Sequence, residues 1–203
     1  MKKPIIAIDC DDVLSASAEA FVAFSNTRWG TKLAIDDFQE DWSKMWQLDH
    51  QKATERALEF HTSGVISDYR KYDEALPVLE YLKQAYRLVV LTSRNSNINA
   101  ETRAWIDREY AGIFDEIYFS GIFDKKLHSD SVYSLTKASM LQEIGASYII
   151  DDQVKNCVGA LEVGVKPVLF GDYAWNQDDS LDGNITRCAN WSEVRDYFDR
   201  LGR

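Results

Sequence analysis

Two hydrophobic rhythms alternate along this chain. Pro4-Ile5-Ile6-Ala7-Ile8 is a short β-branched apolar run, the pattern of a strand buried on both faces. Ala16–Arg28 then places Ala20, Phe21 and Phe24 at helical spacing. From Glu74 the alternation becomes regular. Helices are predicted over Ala75–Tyr86, Ala100–Tyr110, Lys137–Ile144, Val154–Val163 and Ser192–Leu201, with Pro77 tolerated in a first turn. Between them fall strands Leu88–Leu91, Glu116–Phe119, Tyr148–Ile150 and Lys166–Phe170. Strands alternating with helices imply an α/β fold, a Rossmann-like doubly wound parallel sheet.

The stretch between the first two strands breaks this rhythm. It holds Trp29, Trp42, Trp46, His50 and His61, with helical segments predicted near Asp36–Trp46 and His50–His61. Asp36, Asp37 and Asp49 are placed as helix N-caps. So much chain is too long for a structureless loop. We therefore expect a small helical cap at 27–73, over the sheet's carboxyl edge, and an α/β core formed by 1–26 and 74–203. The tryptophans are expected mostly to form the cap's own core, and the two histidines to be structural or surface residues.

Composition narrows the possibilities. At 203 residues and 45% apolar content, one domain with an insertion has ample core. A net charge of −10 leaves no broad basic face for a nucleic-acid polymer, though a small phosphorylated substrate needs only a few local cations. Cys10, Cys157 and Cys188 are too widely spaced for a zinc pattern or disulfide framework, which points to a reducing compartment. The apolar run after Lys2 and Lys3 is too short for a signal peptide, and no run could span a bilayer, so a soluble cytoplasmic protein is expected. A homodimer stays open.

The chemistry begins where the first strand ends. Asp9, Asp11 and Asp12 crowd charge at the edge of a buried run, and packing gives no reason for it. Polar groups recur at Thr92-Ser93-Arg94, at Lys137 and at Asp151-Asp152, each at a strand end or helix start. In a parallel sheet these ends share one side. A nucleophile-capable carboxylate, a second carboxylate, a hydroxyl, an ammonium and an acid pair suit phosphoryl transfer with Mg²⁺. Singly, each has a bland reading. The acids could be turn residues, Thr92-Ser93 a helix cap, Lys137 a solvated lysine with Lys125 and Lys126 as rivals, and Asp152 an acceptor for backbone amides. Val13 and the missing loop glycine argue against an EF-hand. Cys10 is read as core packing.

Taken in order, Asp9-Cys10-Asp11-Asp12-Val13-Leu14, Leu91-Thr92-Ser93, Lys137 and Ile149-Ile150-Asp151-Asp152 resemble the four motifs of the haloacid dehalogenase (HAD)-like phosphohydrolases. Cap size and the tail Gly171–Asn176 with Trp191-Ser192-Glu193-Val194 look most like the 5′(3′)-deoxyribonucleotidase type. Asp12 departs from the pattern, since many relatives have glycine there. The resemblance implies Asp9 as nucleophile, Asp11 as general acid–base, and Thr92, Ser93 and Lys137 as phosphate holders. It implies Mg²⁺ on Asp9, the Asp11 main-chain carbonyl and Asp151. Arg94 or Asn95 is expected to contact phosphate or sugar, and a raised pKa of Asp11, which its acid role requires, is favoured by Asp9 and Asp12 and opposed by the cation. The implied activity is an Mg²⁺-dependent phosphomonoesterase on nucleoside monophosphates through an aspartyl-phosphate. The alternatives are a phosphatase for sugar phosphates or other small metabolites, a phosphomutase-like transferase, and a non-catalytic binding protein that keeps the fold.

Overall fold

The computed structural model describes residues 2–120, 136–178 and 180–202. Its centre is a six-stranded, all-parallel sheet: β1 (Ile5–Ile8), β2 (Arg87–Thr92), β3 (Glu116–Phe119), β4 (Tyr148–Asp151), β5 (Lys166–Phe170) and β6 (Thr186–Cys188). The spatial order is β3-β2-β1-β4-β5-β6, so the direction in which successive strands are added reverses between β1 and β4, which are themselves parallel. A reversal of this kind opens a crevice at the strands' carboxyl ends.

Alternation along the strands separates two apolar layers. Ile6, Ile8, Leu88, Val90, Ile150 and Val168 face one side. There they meet α4 (Ala75–Ala85), α5 (Asn99–Glu109) and α8 (Trp191–Leu201) through Leu79, Trp105 and Val194. Ile5, Ala7, Val89, Leu91 and Ile149 face the other side, against Met140 and Leu141 of α6 (Lys137–Ile144) and Ala160 of α7 (Val154–Glu162). Residues buried on both faces explain why β1, β2 and β4 read as continuous apolar runs. β6 was not anticipated: three residues, one of them exposed Arg187, carry no period.

The segment after α1 (Ser17–Trp29) differs from expectation in one place. Asp36–Trp46 is not a single helix but a 3₁₀ turn at Ile35–Asp37, then a short α2 (Trp42–Met45). Neither Asp36 nor Asp37 is the N-cap. Asp37 accepts from the Ala34 N–H, and Asp41 caps α2 by accepting from Lys44 N–H. Short acids that bond to nearby backbone stop a helix running through. Asp49 does cap α3 (His50–Thr62), accepting from Lys52 N–H at 2.9 Å. Phe21 of α1 stacks on Trp46, with ring centroids 5.2 Å apart, and meets Trp42 and Phe60. Trp29 packs on Phe24 and Trp46. These rings pack on one another and belong to the same apolar cluster as Ile6 and Ile8 of the sheet, not to a core of the segment alone.

Candidate active site

Register sets the first distances. Ile8 pairs with Val90 on one side and Ile150 on the other, so Asp9 emerges level with Asp151 and Thr92 lies one residue further along β2. Lys137 comes from the other layer. Thr136 caps α6 by accepting from Ser139 N–H, and Lys137 is the first helical residue. Its Nζ lies 2.7 Å from Asp9 Oδ2 and 2.7 Å from Asp151 Oδ2, and the side chain is buried. Lys125 and Lys126 lie outside the described residues.

Asp152 joins this cluster. Single carboxylate oxygens of Asp9, Asp151 and Asp152 all lie within 4.8 Å of one another, and all three residues are buried. Asp152 Oδ2 accepts from the Trp175 indole and the Gln153 side chain, not from backbone amides as one reading of the sequence had it. Asp151 Oδ1 accepts from Gln153 N–H and Asn156 Nδ2. Burial drives Asp9 up to about 7, against the Lys137 charge and with help from Asp151 and Asp11. Burial, then Asp151, Asp9 and Asp12, holds Asp152 well above the usual carboxylate range. Burial opposes the Lys137 charge, but Asp151 and Asp9 outweigh it and raise its pKa. Asp9 and Asp151 share the one Lys137 ammonium, so the group of three carboxylates keeps two net negative charges when all are ionised.

Asp11 points elsewhere. Arg94 grips its carboxylate through Nη2–Oδ1 at 2.7 Å and Nε–Oδ2 at 2.9 Å. Burial pushes the Asp11 carboxyl upward, but the charge and hydrogen bonds of Arg94 prevail and hold it below the ordinary value. This reverses the expectation that neighbouring acids raise Asp11. Arg94 is itself buried, and its guanidinium is engaged inside the protein rather than extended toward a phosphate or sugar. Asn95 caps the 3₁₀ turn Ser96–Ile98, accepting from Asn97 N–H. Thr92 is fully buried, and its Oγ1 accepts from Arg94 N–H at 3.2 Å. Ser93 Oγ lies 3.3 Å from Ser120 Oγ.

A model of the family described as 5′ nucleotidase, deoxy (pyrimidine), cytosolic type C protein matches residues 3–201. The chain belongs to that family. BH1399 of Halalkalibacterium halodurans, named a nucleotidase, is 23% identical over 199 residues, covering 98% of this chain and 94% of the relative. YqfW of Bacillus subtilis, also named a nucleotidase, is 21% identical, covering 93% and 90%. Among solved structures, the haloacid dehalogenase-like hydrolase SP0104 of Streptococcus pneumoniae superposes with a TM-score of 0.71 at 18% identity, covering 97% of this chain and 98% of that one. A Clostridium acetobutylicum phosphatase gives 0.71 at 17%, covering 99% and 100%. The protein is thus a HAD-like nucleotidase, a phosphoric monoester hydrolase acting on small phosphorylated substrates. HAD-like enzymes generally use Mg²⁺. Among the described residues no helix is long and apolar enough to cross a membrane.

In this nucleotidase the loop after β1 is held from all sides. The Asp12 carbonyl accepts from Tyr173 OH, that of Val13 from the Trp191 indole, and that of Leu14 from Tyr110 OH, at 2.8, 3.1 and 2.8 Å. Donors so far apart in sequence could not be matched to this loop by pattern alone. Cys10 is fully buried in the Ile6–Ile8 layer, and burial pushes its thiol up to about 12, so the packing reading stands. His50 is exposed. His61 packs on Trp42 and Phe60, and burial lowers its pKa.

Asp12 also gains a role. Its φ of 54° is left-handed, a conformation that suits glycine and that aspartate tolerates. Its carboxylate accepts from Ala18 N–H and Ser17 Oγ at the start of α1. Burial raises it from 3.8 to about 7, despite the Ala18 hydrogen bond. The folded chain therefore holds a proton that the unfolded chain has lost. Its stabilising contribution is complete below about 3.8 and disappears as pH rises through about 7. Asn at this position keeps the left-handed tolerance and an acceptor. In chelator, wild type is expected to lose melting temperature between about pH 5 and 8 more steeply than Asp12→Asn, as read by scanning fluorimetry. Equal slopes would show that Asp12 does not carry this proton.

Proposed function

We propose that the enzyme is an Mg²⁺-dependent 5′-nucleotidase that releases phosphate from (deoxy)nucleoside monophosphates through an aspartyl-phosphate on Asp9. The observation that carries this reading is the buried group of Asp9, Asp151 and Asp152, with Lys137 bridging Asp9 and Asp151. Asp9 Oδ1 accepts from Cys10 N–H and Oδ2 faces Lys137, which fixes the carboxylate at the crevice. One of its oxygens attacks phosphorus, the ester P–O bond breaks, and the departing oxygen takes a proton from Asp11. Water then attacks the acyl phosphate, Asp11 accepts the proton of that water, and Asp9 leaves with inorganic phosphate released. Arg94 favours the carboxylate form needed in the second step. For the first step, the negative charge of the arriving phosphate raises the proton affinity of Asp11. Thr92, Ser93 and Lys137 hold the phosphoryl oxygens.

The donor set fits a hard divalent cation: all oxygen, tightly grouped, and in excess of its one ammonium. Asp9, Asp151 and Asp152 would hold it, with the main-chain carbonyl of Asp11 as the resemblance implies. Bound there, Mg²⁺ supplies charge neutralisation at the phosphoryl group. A cavity of about 740 Å³ between residues 31–47 and Trp175, lined by Leu33, Phe38 and Trp46 and by none of Asp9, Asp11, Thr92 or Lys137, has room for a nucleoside-sized group. Of the lining residues, Trp175 also donates its indole N–H to Asp152.

Chelation is expected to abolish phosphate release, and added Mg²⁺ to restore it. Because Asp9 sits near 7 and Asp152 is also raised, Mg²⁺ binding at about pH 7 is expected to expel protons and to weaken as pH falls. Calorimetry in two buffers of different ionisation enthalpy reads this directly. Binding without proton release would contradict the assignment. A kcat/KM panel of nucleoside monophosphates against sugar phosphates tests the substrate class. A uniformly low nucleotide profile would remove the nucleotidase reading and leave the phosphatase.

A further inference from the structure

We infer that Arg94 is the positioning residue for Asp11 and not a substrate contact. Burying a guanidinium is costly unless its donors are satisfied, and here each direction of the fork has a partner. Nε and Nη2 engage both oxygens of Asp11, Nη2 also reaches Ser15 Oγ at 3.3 Å, and Nη1 donates to Thr102 Oγ1 at 3.1 Å. The Tyr69 ring covers the group, with its centroid 5.2 Å away. The Arg94 side chain is 4% exposed against 37% for Asp11, so the arginine lies beneath the carboxylate and the carboxylate faces outward.

That arrangement ties Asp11 to three segments at once: its own loop through Ser15, α5 through Thr102, and the end of the inserted segment through Tyr69. A bidentate fork fixes the carboxylate plane as well as its position, which a lysine cannot do. The outward lone pairs of Asp11 remain available for the reacting proton. A misplaced acid–base group loses the advantage of orientation, so Arg94 affects the rate only through Asp11.

This inference rests on the role of Asp11 in the reading above, and a double-mutant cycle separates the two. Arg94→Met, Asp11→Asn and the double variant are assayed on p-nitrophenyl phosphate, whose activated leaving group keeps crippled variants measurable. Arg94→Met is expected to lower kcat by about 10²-fold with KM near wild type. In the Asp11→Asn background it is expected to have no further effect, and Arg94→Lys to recover only part of the rate. A raised KM, or losses that multiply in the double variant, would overturn the inference. If Asp11→Asn itself left kcat unchanged, the acid–base reading would fail first. Should Arg94→Met not fold, Thr102→Val weakens the same clamp. Its loss of kcat is likewise expected to vanish in the Asp11→Asn background, and a loss that persists there would overturn the inference.

Discussion

Asp9→Asn is expected to abolish phosphate release, lowering kcat/KM by about 10⁴-fold or more. Asparagine keeps an acceptor for Cys10 N–H and nearly the same volume, so the fold is expected to persist. What disappears is the anionic oxygen proposed to attack phosphorus. Excess Mg²⁺ is not expected to restore the rate, since a variant impaired only in metal affinity would recover with it. Steady-state kinetics across a Mg²⁺ titration makes the distinction. Recovery would reduce Asp9 to a ligand.

The second large effect is on stability. Lys137→Met removes the one ammonium shared by Asp9 and Asp151 and leaves both buried carboxylates facing each other. Removing one partner of a buried pair typically costs about 3–5 kcal/mol, and urea denaturation in chelator is expected to show a loss of that size. Saturating Mg²⁺ is expected to return part of it, because a cation that binds only the folded form stabilises it. A loss below about 1 kcal/mol would mean the pair behaves like a solvent-screened surface contact. Phosphate release is expected to fall as well, through loss of an anchor for phosphoryl oxygens.

Much of the site was legible because it follows from strand ends. Asp9, Thr92 and Asp151 each follow an apolar run, and a parallel sheet brings such ends together whatever their separation in sequence. Lys137 was legible as a helix start placed shortly before β4. What stayed hidden depends on which side chain reaches which. Asp12 could not be given a job from sequence, because its φ and its hold on Ala18 exist only once α1 has packed. Arg94 looked like a free cation beside Thr92, and only the approach of Asp11, Ser15, Thr102 and Tyr69 shows that its donors are used internally. Asp152 was a neighbour of a predicted ligand, and Trp175 turns its carboxylate into the cluster. β6 was too short for any period to show, and the helix expected over Asp36–Trp46 failed because Asp37 and Asp41 bond locally.

The stereochemical course at phosphorus tests the central claim most directly. A nucleoside 5′-phosphorothioate made chiral with oxygen isotopes, hydrolysed by the enzyme, reports the number of displacements. Attack by Asp9 followed by attack of water inverts phosphorus twice, so the account predicts net retention. Net inversion would mean that water attacks the substrate directly and that no aspartyl-phosphate forms.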